Sequence, residues 1–234
     1  MKQSLGQEMN IPTQLRRIYT KLLPLWLRQR IESTLLPAYP REYDKNQYIF
    51  IHIPKTAGKS IISKLHNRGA THLSYSDYED ILGDKINDYF VFTVLRDPAD
   101  RFASAYSYLK AGGNQSREDQ EFSHRWIKNK NINDFIKTSF NAIEVKNSLF
   151  FRSQASFLKQ KNGTLGAVKI LHLNNLKRDF VSISDRLGVS SELPHLNESR
   201  SRQNIFDGES RLTIQTIYKE DYTLIHSAIN NSKK

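Results

Sequence analysis

Cysteine is absent from the chain, which excludes disulfides, iron–sulfur clusters and thiolate zinc sites. Also missing is any run of about eighteen or more apolar residues, so no membrane-spanning helix is expected. The first residues lack the continuous apolar stretch of a secretory signal, and a cytoplasmic location is the expectation. The seven histidines are scattered, none with an acid four positions on, and no metal is expected. Acidic residues are outnumbered, 24 against 35 basic, leaving a net charge of +11. That balance favours anionic partners such as a nucleotide, an acidic glycan, nucleic acid or a lipid headgroup, though it also suits a basic surface kept for solubility. No nucleic-acid module, internal repeat or low-complexity segment is recognisable, so nucleic acid is not an expected partner.

What remains is enough for one sizeable core: 234 residues, 38% of them apolar, the profile of a globular chain. Residues 1–46 read as a lead-in. Within it the segment 15–31 mixes Leu, Ile and Trp with arginines around Pro24. It reads either as a basic amphipathic helix lying peripherally on an anionic membrane or as short helices packed on the main domain. The main domain is expected over 47–234. Strands are expected at 47–53, 89–95 and 168–173, because these runs are apolar and β-rich without polar alternation. Helices are expected at 58–68, 77–82, from Asp97-Pro98 to Gly112-Gly113, at 121–130, 132–139, 147–158, 176–187 and 209–229, with polar loops at 114–120 and 190–207. Strands alternating with helices predict an α/β fold: a P-loop-like, three-layer domain whose central, mainly parallel sheet is flanked by helices.

Two stretches carry the chemistry. Tyr48-Ile-Phe-Ile-His-Ile-Pro-Lys-Thr-Ala-Gly-Lys-Ser60 is a strand running into a turn and a helix start, where backbone N–H groups and Lys55 can hold an anion. Tyr89-Phe-Val-Phe-Thr-Val-Leu-Arg-Asp-Pro-Ala-Asp-Arg-Phe-Ala-Ser-Ala-Tyr106 is a second strand-to-turn unit, with Arg96 at the turn. Two anion sites after two strands imply a ligand with phosphate at both ends. Gly58-Lys59-Ser60 does not complete a Walker A loop, since that motif needs a glycine where Ile53 stands.

Together, Ile-Pro-Lys-Thr-Ala-Gly (53–58) with Ser60, and Arg-Asp-Pro-Ala-Asp-Arg-Phe-Ala-Ser-Ala-Tyr (96–106), resemble the carbohydrate sulfotransferases, in the branch of the heparan sulfate 2-O- and chondroitin enzymes. The resemblance runs roughly from Gln47 to Tyr222 and is dense at 48–60 and 89–108. It implies transfer of a sulfuryl group from 3′-phosphoadenosine-5′-phosphosulfate (PAPS) to a hydroxyl, most naturally of a glycan, leaving 3′,5′-ADP (PAP) and requiring no metal. The first motif (Lys55, Thr56, Ala57, Gly58, Lys59, Ser60) is then the 5′-phosphosulfate site, and Arg96 with Ser104 the 3′-phosphate site. Lys55 would meet the charge growing on the leaving oxygen, and Arg96 offers a planar fork. Lys59 departs from the small hydroxyl residue usual at its position.

The acceptor hydroxyl must lose a proton. Thr-His-Leu-Ser-Tyr-Ser-Asp-Tyr (71–78) resembles the segment carrying the catalytic histidine of the 2-O-sulfotransferases, which implies His72 as base, with Asp77, Glu79 and His124 as rivals; His52 reads as a packed core residue. Leu193-Pro-His-Leu-Asn-Glu-Ser-Arg200 resembles a late family loop near the nucleotide. Phe151-Arg-Ser-Gln-Ala-Ser-Phe-Leu158 is also family-like and offers Arg152 or Gln154 to the acceptor. Arg117, Arg125, Lys128 and Lys130 are candidates for an acidic sugar chain, and Tyr75, Tyr106 and Trp126 for stacking on its rings. The competing readings are a P-loop-like kinase using ATP and magnesium, and a non-enzymatic basic binding protein.

Overall fold

The computed structural model describes residues 41–65, 72–193 and 205–231. Its elements in chain order are α1 (Arg41–Asn46), β1 (Tyr48–Ile51), α2 (Gly58–Lys64), α3 (Tyr75–Leu82), β2 (Phe90–Leu95), α4 (Pro98–Lys110), α5 (Arg117–Phe122), α6 (Ile132–Thr138), α7 (Ile143–Lys146), α8 (Gln154–Leu158), β3 (Lys169–His172), α9 (Leu176–Leu187), α10 (Gly208–Ile217) and α11 (Lys219–Asn231). The basic segment 15–31 and the family-like loop at 194–200 lie outside the described residues.

The three strands form an open, parallel sheet in the order β1-β2-β3. Tyr48 pairs with Phe90 and Ile51 with Thr93; Phe92 pairs with Lys169 and Leu95 with His172. All of β1 is buried, and β2 from Val91 on, which is why both read as unbroken apolar runs. The polar group at Thr93 is satisfied across the strands, its hydroxyl donating to the Ile51 carbonyl at 2.8 Å. Because β1 and β2 are parallel neighbours, their C-terminal ends and the loops after them open on one edge, where ligands of open α/β sheets bind. The α/β expectation, with a parallel sheet flanked by helices, is met.

Local signals hold where a cap defines them. Asp97 accepts from the Asp100 N–H at 3.0 Å with Pro98 at the first helical position, and Gly112 and Gly113 follow with φ of 87° and 64°. Helix α9 ends on Gly188 at φ 67°, and its Asp179 accepts from the His172 N–H, tying it to β3.

Four expectations change. Helix α1 belongs with the sheet rather than with a lead-in: Tyr43 is fully buried and its hydroxyl donates to the Phe50 carbonyl at 3.1 Å. The polar stretch expected as a loop at 114–120 contains the start of α5, because Ser116 caps the Asp119 N–H and Arg117 pairs with Glu121 one turn on. The helix expected over 147–158 is α8 alone, with α7 before it. Ser148 Oγ donates to Val145 O instead of continuing a helix, Ser153 Oγ accepts from the Ser156 N–H as the N-cap that starts α8, and buried Phe151 lies between the two serines. The final helix is two, broken at Tyr218, whose hydroxyl donates to the Phe151 carbonyl at 2.5 Å.

Beside the sheet, an apolar cluster gathers around α4. At its centre Phe102 meets the rings of Phe135, Phe140, Phe151, Phe206 and Tyr218, with centroids 4.9 to 6.4 Å apart. Phe102→Ala is expected to destabilise the fold by about 3–5 kcal/mol, read as a lower urea midpoint with an unchanged slope.

Candidate active site

The loop leaving β1 is held by its own carbonyls. His52 O lies 2.8 Å from His72 Nδ1, Ile53 O accepts from Thr56 Oγ1 at 2.9 Å, Pro54 O from Arg101 Nε at 3.1 Å, and Lys55 O from Arg96 Nη1 at 3.2 Å. Four consecutive peptide oxygens thus bond to four different side chains. The backbone between them is bent in a way L-residues resist, with φ of 70° at Lys55 and 65° at Ala57. Ala57 serves as the N-cap of α2 and supplies no side-chain hydrogen bond to it. Among the amides expected to meet phosphate, the Ser60 N–H donates to Ala57 O, and the Thr56 hydroxyl is committed to Ile53 O. Gly58 is required for space: a Cβ there would sit 2.0 Å from the His52 ring.

Cations surround this loop. The Lys55 ammonium rests 4.2 Å from the centroid of the Tyr108 ring, and the Tyr108 hydroxyl donates to Asp119. Arg96 is buried. Arg101 is buried too, and its guanidinium bridges Pro54 O and Arg152 O (2.9 Å) while its Nη2 has no hydrogen-bond partner among the described residues. Burial lowers the pKa of Arg101, against the pull of Tyr218 and Asp221. The Arg152 guanidinium stacks 3.6 Å over Phe157, with Nη2 3.5 Å from His72 O. Lys59 is exposed, and Ser104 lies partly exposed on α4.

Arg101 was not singled out from the sequence. The signal available was an arginine at i of a buried i, i+4, i+8 row with Ala105 and Leu109, a core position where a charge needs a reason.

His72 is half-buried, its ring 4.2 Å from the His52 ring. A carbonyl only accepts, so the bond to His52 O puts the proton on Nδ1 and leaves the Nε2 lone pair as the basic one. Burial lowers the His72 pKa from 6.5; the bond to His52 O opposes this, and the charges of Arg152 and Arg101 add to it. The rival carboxylates have structural duties. Asp77 closes the capping box of α3, accepting from Ser74 N–H at 2.7 Å, and Glu79 accepts from Lys161 N–H at 2.8 Å. His124 is on an exposed turn beside Lys128.

Several acceptor-side expectations are corrected. Gln154 is fully buried and cannot face an acceptor. Tyr75 and Tyr106 are core residues, Tyr75 against Gly166 and Tyr106 donating to Lys130 O. Arg117 and Arg125 by contrast stay at the surface as expected of acceptor-side candidates, in exposed pairs with Glu121 and Glu144, with Arg125 also over the Trp126 ring.

Set against known proteins, the chain matches the model of the sulfotransferase family over residues 42–226, a span that includes both loops, His72 and Arg152. No curated protein and no solved structure matches it.

The lowered pKa of His72 bears on where its pH dependence would fall. Acting as a base it must be neutral, so kcat/KM should rise with pH through a midpoint below 6.5 and stay level through neutrality. His72→Ala should remove that limb and lower turnover by about 10²–10⁴-fold. A pH–rate profile of both proteins checks this, and an unchanged limb in the variant would assign it to another group.

Proposed function

The chain belongs to the sulfotransferase family, and from that premise we propose that it transfers a sulfuryl group from PAPS to a hydroxyl of an acidic glycan. One observation carries the reading. The Arg96 guanidinium donates to the carbonyl of Lys55, 41 residues away in sequence. The two anion motifs are therefore one site, suited to a ligand anionic at two points. In this reading Lys55 and the loop from Thr56 to Ser60 take the 5′-phosphosulfate. Arg96, with Ser104, takes the 3′-phosphate.

The reaction asks three things of these residues. The acceptor oxygen forms a bond to sulfur while the bond from sulfur to the bridging oxygen breaks, and the electron pair leaves on the 5′-phosphate. His72 Nε2 receives the hydroxyl proton, and the imidazole, its pKa lowered by burial, is neutral at working pH and ready to take it. Lys55 meets the charge gathering on the leaving oxygen, moving from its rest over Tyr108. Arg152, beside His72, gives the acceptor side a cation, which supports an acceptor carrying its own negative charge.

Lys55→Ala should lower turnover by about 10²–10³-fold while leaving the unfolding midpoint near that of the parent; near-normal turnover in the folded variant would remove Lys55 from this role. Calorimetric titration tests the donor directly. The expected result is tighter binding of 3′,5′-ADP than of 5′-ADP, without added metal. Tighter binding of Mg-ATP would replace this reading with a kinase.

A further inference from the structure

Arg96 stands where the sheet ends. The β2–β3 ladder closes with Leu95 opposite His172, so the backbone N–H and C=O of Arg96 lie one residue beyond the last strand pair. Both are nevertheless bonded, and by one side chain. Gln154 Oε1 accepts from Arg96 N–H at 3.0 Å, and Gln154 Nε2 donates to Arg96 O at 2.8 Å. A primary amide is suited to this, because it carries an acceptor and a donor in one plane, as a peptide does. Gln154 stands in for the missing strand, with none of its surface exposed.

Gln154 is itself held. It opens α8, a helix of five residues, too short to persist on its own. The carboxylate of Asp221 accepts from both the Gln154 N–H and the Ala155 N–H, each at 2.8 Å. Asp221 is fully buried in the first turn of α11, where burial raises its pKa while those two bonds and Arg101 draw it back. A continuous path therefore runs from Asp221 to the start of α8, through the Gln154 amide to the Arg96 backbone, and on to the guanidinium at Lys55 O. Two buried polar side chains spent on four backbone groups are a high-stakes arrangement, and the residue at its end is the one with a binding task in the proposed reaction.

We infer that Gln154, anchored by Asp221, is a positioning residue that aims Arg96, and that this aim sets the protein's preference for nucleotides bearing a 3′-phosphate. The inference rests on the assignment of Arg96 to that phosphate.

The experiment measures the ratio of the 3′,5′-ADP and 5′-ADP dissociation constants by calorimetry for the parent, Arg96→Met, Gln154→Glu and Asp221→Asn. Glu keeps the size of Gln and the acceptor for Arg96 N–H but has no N–H for Arg96 O. Asn at 221 keeps the shape and one acceptor oxygen, and it carries the test should Gln154→Glu fail to fold. The parent is expected to prefer 3′,5′-ADP and Arg96→Met to lose that preference. Gln154→Glu and Asp221→Asn should each reduce it by about tenfold, with 5′-ADP affinity held within about twofold. General loosening of the fold would weaken both nucleotides together and leave the ratio intact. That result in a folded variant, with Arg96→Met still losing the preference, overturns the positioning role while the Arg96 assignment stands. A parent without preference, or an Arg96→Met protein that keeps it, overturns the assignment and this inference with it.

Discussion

The four carbonyls from His52 to Lys55 set the terms for everything around them. A chain leaving a buried parallel strand carries peptide oxygens into a partly dry region, where each one unpaired costs about 1–3 kcal/mol. Here the partners are His72, Thr56, Arg101 and Arg96. They come from the segment before α3, from the loop itself, from α4 and from the turn after β2. The loop is thus the point at which four stretches of sequence are brought into register. The same contacts that satisfy it place a basic imidazole nitrogen and two guanidinium groups around one bend.

That economy has an electrostatic cost that a purely structural site would avoid. Arg96 and Arg101 are both buried, and Arg152 is partly so. Arg96 and Arg101 donate to neutral carbonyls, and Asp221, the acid that attracts Arg101, gives its own oxygens to the α8 amides. Concentrating like charges at low dielectric is unfavourable unless something anionic completes the set. A ligand anionic at two points, as proposed above, would do so.

The parts of this legible in the sequence are those written in local patterns. The apolar runs of β1 and β2, the Asp97-Pro98 start of α4 and the Gly188 stop of α9 each depend on residues within a turn of one another. The two anion motifs were readable for the same reason. What was not legible depends on partners far along the chain. The break at Tyr218 leaves no trace in periodicity, because Ile214, Tyr218 and Asp221 keep a helical spacing straight through it. The Gln154 side chain looked available to an acceptor because nothing nearby reveals that Arg96, 58 residues away, takes both ends of its amide. Tyr75 and Tyr106 suited sugar stacking by type alone, and a buried tyrosine with a satisfied hydroxyl reads the same in sequence as an exposed one.

The histidine pair shows how far the local motif and the long-range contact are one design. Gly58 is small so that the His52 ring can lie against it, and the His72 ring packs on the other ring of the pair. His52 O meanwhile fixes which nitrogen of His72 holds the proton. A side chain at position 58 would push on His52, and through it on His72. In the proposed reaction the glycine would therefore serve the base as well as the loop. Its neighbour Lys59, exposed and at the start of α2, sits where a positive charge opposes the helix dipole and becomes favourable only when an anion is bound there. Gly58 thus satisfies the packing of the loop, while Lys59 is the residue that an anion at this turn would favour.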